Sequence, residues 1–121
     1  MPRATFTRDL QRLQDGILVL GSMVAQAIID SVSALKKQDL ESAQRIVEQD
    51  RDINERRFAI ESDVLALIAT QQPMAGDLRT LASILEIATE LERIGDYGKG
   101  IAKITLLIGR QPLIKPLIDL P

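Results

Sequence analysis

Three carboxylic acids and one amide carry the chemistry this sequence can offer: Asp50, Asn54, Glu92 and Asp96. Within each pair the spacing is four, so on a helix the two side chains stand one turn apart on one side. Their surroundings set them apart from ordinary surface charge. Leu40, Ala43, Ile46, Val47, Phe58, Val64, Leu65 and Ile68 define an apolar face, and Asp50, Asn54, Arg57 and Glu61 follow one another by four, three and four along its middle. A second seam, Leu78, Leu81, Leu85 and Ala88, runs on to Glu92 and then Gly95, with Asp96 beside it.

Asp50 and Asp96 are equidistant from Pro73, and so are Asn54 and Glu92. If two antiparallel helices meet at that proline, all four residues face each other at one height. Burying unpaired like charges is costly, and an acid protonates unless a cation relieves it. Three readings stay open on the residues alone. One is a hard or borderline cation such as Mg²⁺, Mn²⁺ or iron, held by oxygen atoms of facing helices. The second is a buried salt-bridge network built on Arg57, and the third is a solvent-filled groove. Gly95, Gly98 and Gly100 crowd the same stretch. They fit either close approach of an ion or partner beside Asp96, or tight helix packing.

Long helices must position these groups. Apolar residues recur at three and four between sparse Gly and Pro marks, which is the amphipathic helix period. The first helix is expected from about Thr7 to Lys37, on a seam of Leu10, Leu13, Ile17, Leu20, Val24, Ala27, Ser31 and Leu35. Asp39 is a good N-cap for a second helix over 40–71. Pro73 separates it from a third helix over 74–108, with Gly109 placed to end it. Short connections make neighbours antiparallel. The fold class is therefore all-α, an antiparallel up-down-up three-helix bundle about 45 Å long. Residues 109–121, with Pro112, Pro116 and an apolar run from Leu113 to Leu120, read as a linker toward a further segment or as a strap over the bundle.

The 121 residues suit one domain, and the composition closes several avenues. There is no His and no Cys, which excludes zinc fingers, iron–sulfur clusters, disulfides and His- or Cys-based catalysis. Net charge is −2 and aromatics are 2%, which argues against a nucleic-acid surface. The longest apolar run, Ile17 to Ala25, is too short to span a bilayer, so no direct membrane insertion is expected. A small core and an apolar tail point to a homodimer.

Three segments together resemble the PhoU family in order and spacing. They are Val47-Glu48-Gln49-Asp50-Arg51-Asp52-Ile53-Asn54, Gln71-Gln72-Pro73 followed by Asp77-Leu78-Arg79, and Leu91-Glu92-Arg93-Ile94-Gly95-Asp96-Tyr97. The likeness runs from about Thr5 to Thr105, and the last segment is its most specific element. It implies an all-helical, cytoplasmic regulator of phosphate uptake, built in most members from two tandem three-helix repeats. Such proteins act with the ATPase-driven phosphate ABC transporter and its sensor histidine kinase, and keep the starvation response off when phosphate is plentiful. Members often dimerise and carry iron, zinc, magnesium or manganese at paired Glu/Asp-x-x-x-Asp motifs. Glu92-x-x-x-Asp96 matches that motif, while the helix-two copy reads Asp50-x-x-x-Asn54 and has lost a charge. Only one repeat is present. An enzyme is disfavoured, because the di-iron bundle pattern uses Glu-x-x-His and the chain has no His. A metal-free helical adaptor is the other alternative.

Overall fold

The computed structural model describes residues 3–109 of the chain. Three helices account for nearly all of them: α1 (Arg3–Lys37), α2 (Leu40–Gln71) and α3 (Ala75–Gly109). The expected linker or strap over 110–121 lies outside the described residues.

Local chemistry sets the breaks. Asp39 is extended (φ −87°, ψ 94°) and its carboxylate accepts from the Ser42 amide at 3.1 Å and the Ser42 hydroxyl at 2.7 Å, capping α2. These bonds hold the Asp39 carboxyl below its ordinary value. Both helix ends before the turns close on glutamines in the left-handed region, Gln38 (φ 54°) and Gln72 (φ 45°). Pro73 then stops α2 from continuing. α1 begins four residues earlier than the apolar seam suggests, because Phe6 is buried and Arg3 pairs with Asp77 at the start of α3.

The connections are short, so α2 runs antiparallel to both neighbours and α1 runs parallel to α3. The register of that parallel pair is visible at the glycines. A methyl group built on Gly21 would touch Leu91, one on Gly95 would touch Val24, and one on Gly98 would meet Ile28 and the Ala27 backbone. Gly98 is thus a close-packing residue, while nothing lies within 4 Å of a methyl on Gly100.

The core is divided. A long cluster runs from Phe6 and Leu67 up to Val24, Ile53 and Ala88. A small one, Ala34, Ala43, Ile46 and Ala102, closes the far end. The α1 seam is buried much as its spacing suggests. On α2 the buried line is Ala43, Ile46, Asp50, Ile53, Ile60, Val64 and Leu67. Phe58 and Leu65, expected inside, are 66% and 60% exposed, and Leu40 is also exposed. Their apolar character shifts the apparent centre of the face by about one residue. On α3 Leu78 is likewise exposed, and Ile84 takes the core position.

One described helix, α1, is long and apolar enough to cross a membrane by length and composition, with an 18-residue window of mean hydropathy 1.7. By length and composition alone one such helix is weak evidence of a span, and isolated polar residues such as Gln26 interrupt its apolar runs. Only 22% of that window is buried, so α1 carries apolar side chains beyond those its core seam needs.

The glycines give a test. Gly100→Ala is expected to stabilise the fold by up to about 1 kcal/mol, since a helix-interior Gly costs about that much and the space is open. Gly98→Val is expected to cost about 2 kcal/mol by overpacking against α1. Urea midpoints of the two variants check both signs.

Candidate functional site

Where the two core clusters separate, the α2 line places Asp50 between Ile46 and Ile53. The residue is only 4% exposed. Gly95 stands opposite, leaving room for the carboxylate: a methyl there would lie 4.0 Å from Asp50 Oδ1. A buried carboxylate needs donors and a cation. Asn54, one turn on, donates its side-chain amide to Asp50 Oδ2 at 3.0 Å. Lys99 of α3 brings its Nζ to 3.4 Å from the same oxygen. The cation beside Asp50 is therefore Lys99, a residue not singled out by the sequence reading. A signal existed: Lys99 follows Asp96 by three and Glu92 by seven, on the stripe those acids occupy.

Arg57, the expected rival partner, instead bonds Glu61 on its own helix, with Nη1 2.6 Å from Oε1. Its Nε is buried without a hydrogen-bond partner among the described residues. Glu92 is half-buried and Asp96 exposed. Burial first, then a shared hydrogen bond with Asp96 and the charges of Asp96 and Asp50, push the Glu92 carboxyl above its ordinary value, with Arg57 working the other way. The four residues thus lie along one stretch of the α2–α3 seam, in two sub-clusters: Asp50–Asn54–Lys99 and Glu92–Asp96.

Grooves flank α2 on both sides at this height. One, of about 440 Å³, is lined by Val19, Met23, Gln26, Asp50, Gly95 and Lys99. The other is lined by Asp50, Asn54, Arg57, Phe58 and Lys99. Asp50 lines both.

The arrangement bears on metal binding. Among the described residues, no three acids close around a common point for an ion. Of the two orphaned buried side-chain atoms among the described residues, Gln71 Oε1 lies far along α2, and Arg57 Nε, at this height, is a donor and calls for an acceptor rather than a cation. A ready oxygen donor pair is Glu92 and Asp96, adjacent, with Asp96 exposed and Glu92 half-buried. That pair suits a hydrated divalent ion, which keeps several waters and takes one or two carboxylates. It does not make a closed cage.

A model of the PhoU domain matches residues 17–105, which span all of these groups. The chain belongs to the PhoU family. A phosphate-specific transport system accessory protein PhoU homolog from Clostridium acetobutylicum is 42% identical over 104 residues, covering 85% of this chain and 48% of that protein. The phosphate-specific transport system accessory protein PhoU of Escherichia coli K12 is 35% identical over 101 residues, covering 84% and 42%. The crystal structure of the phosphate transport system regulatory protein PhoU from Streptococcus pneumoniae superposes with a TM-score of 0.81 at 34% identity, covering 91% of this chain and 52% of that one. The chain spans about half the length of the curated relatives it matches.

Two substitutions test the electrostatics. Lys99→Met leaves Asp50 without its cation and is expected to cost about 1–2 kcal/mol, less than a fully buried pair because Lys99 is partly solvated. Adding Asp50→Asn should recover most of that loss, which a double-mutant cycle reads. Glu92 has a raised folded-state pKa, so its favourable contribution is complete below its ordinary value of 4.5 and is lost as pH rises. Glu92→Gln should therefore raise the melting midpoint at pH 7 in chelator and change little at pH 4.

Proposed function

We propose that this chain serves as an accessory regulator of phosphate uptake and phosphate-starvation signalling, working by protein contact in the cytoplasm. The observation that carries this reading is its similarity, over most of its length, to relatives named as phosphate-specific transport system accessory proteins. Its partners in this reading are the ATPase of the phosphate ABC transporter and the sensor histidine kinase, with a second copy of the chain as a homodimer mate. Accessory action needs no catalysis. The paired acids then have a binding role: Glu92 and Asp96 hold a divalent or trivalent cation, with Asp50 and Asn54 facing them from α2. Manganese, magnesium, iron and zinc are the ions to try. Asp50 can join only if the Lys99 ammonium leaves it.

A metal-independent helical adaptor is the second reading. The pairs Arg57–Glu61 and Lys99–Asp50 favour it, since both supply cations from the chain itself.

Loss of the chain in phosphate-rich medium should switch on the starvation response, read by a phosphate-regulated reporter. Unchanged reporter output would remove the regulatory reading. Thermal melting with chelator and with added Mn²⁺ separates the two views of the acids. On the metal reading, Asp96→Asn abolishes the Mn²⁺-dependent gain in midpoint. An equal effect of that variant with and without Mn²⁺ leaves the adaptor.

A further inference from the structure

Asp50 is the buried acid of the α2–α3 seam, and the use made of its two oxygens decides what it can bind. Oδ2 takes both of its polar neighbours, the Asn54 side-chain amide at 3.0 Å and Lys99 Nζ at 3.4 Å. Each presents hydrogens to that oxygen and so covers the lone pairs a metal ion would need. Oδ1 borders Gly95, beside Ile53 and Val24. None of these offers a side-chain ligand atom.

Lys99 is built to enter and to leave. Its side chain is 34% exposed, while that of Asp50 is 5% exposed. The acid is sealed in, and its cation is the member of the pair that water reaches. Lys99 also borders both grooves beside α2, so its flexible four-carbon stem has open space on two sides. The acids of α3 are in the opposite condition. Glu92 and Asp96 share a hydrogen bond, and among the described residues neither makes an ion pair. One side of the seam thus holds a compensated carboxylate and the other holds two uncompensated ones.

We propose that Lys99 is a tethered cation that holds Asp50 out of the metal site, so that an ion bound by this chain rests on Glu92 and Asp96 alone. This assignment rests on the metal reading above. The ammonium and a divalent ion are alternative counter-ions for one carboxylate. Side by side they repel, and partly buried charges are little screened by salt. An ion that takes Asp50 must therefore break the Lys99 pair and turn the Asn54 amide away. Asn54 is neutral and adds no charge to repay that exchange. Lys99 is a positioning residue in this scheme. It touches no metal, yet it decides whether the ion has two carboxylates or three, and so how tightly the ion is held. Removing its ammonium converts Asp50 from a bystander into a third ligand.

The test is Mn²⁺ binding to the 121-residue chain and its variants by equilibrium dialysis, with melting in chelator to verify that each variant folds. Lys99→Met removes the cation, and Lys99→Gln removes it while keeping a donor for Asp50. Both should bind Mn²⁺ about tenfold more tightly than wild type, the scale on which groups beside the ligands tune metal affinity. Adding Asp50→Asn to Lys99→Met should abolish that gain, and Lys99→Arg should bind as weakly as wild type. Lys103, exposed one turn further along α3, controls for net charge: Lys103→Met should tighten binding by less than about twofold, because exposed charges are screened. A wild type that binds Mn²⁺ no more weakly than Lys99→Met and Lys99→Gln overturns the assignment and leaves the metal reading standing. So does a gain that survives Asp50→Asn, or one that Lys103→Met reproduces. Failure of every form to bind Mn²⁺ at millimolar concentration overturns both.

Discussion

A carboxylate taken out of water demands a cation, and Asp50 imposes that demand at mid-height in this bundle. Its neighbours on the α2 core line are isoleucines, so nothing on its own helix except the Asn54 amide can answer. The answer comes from α3 as Lys99, and the arrangement shapes what surrounds it. Gly95 clears space opposite the carboxylate, the core parts into a long and a short cluster, and grooves open on both sides of α2. The neighbouring acids Glu92 and Asp96 are left to share a hydrogen bond, and Glu92 is held more protonated than an ordinary glutamate. A site with its own tethered ammonium ion is already neutral in part. An incoming metal ion would have to compete with it.

Much of the architecture was legible because local signals agree with each other. Asp39 has the cap geometry its residue type suggests, Pro73 stands at the second break, and the α1 seam follows its three-four spacing into the core. The α2 face was misjudged where side-chain type and position conflict. Phe58 and Leu65 are apolar but stand off the core line, while Asp50 is charged and stands on it. A periodicity argument weighs apolar residues and is pulled toward the former. Within the site, the Arg57–Glu61 pair follows from four-residue spacing. The Lys99–Asp50 pair depends on the relative rotation of two helices, which spacing within one helix does not determine. Equidistance from Pro73 brought the four residues to one stretch of the seam. It did not resolve which would touch.

The three seams of the bundle divide its labour. Between α1 and α2 the groove mixes apolar walls, Val19, Met23 and Ile53, with amides and acids such as Gln26, Asp30 and Asp52. Along α2 toward α3 it is charged and holds the paired groups. Between α1 and α3 the outer edge is largely aliphatic, with Leu18, Ile29, Ile87 and Ile94 exposed and Glu90 among them. This also accounts for the membrane-like hydropathy of α1, which supplies side chains to two apolar surfaces where α2 supplies one.

The parallel course of α1 and α3 has a consequence for when the two helices meet. Each neighbouring pair of antiparallel helices is closed by a turn of two or three residues and can form as a local hairpin at small entropic cost. The two parallel helices have no such connection; the whole of α2 lies between them in the chain, and contacts this far apart in sequence are the slow ones to establish. The α1–α3 contact is therefore assembled only when both hairpins share α2 at once. A half-folded chain lacks this contact, so the close approach of Gly98 to the Ala27 backbone exists only in molecules whose folding is complete.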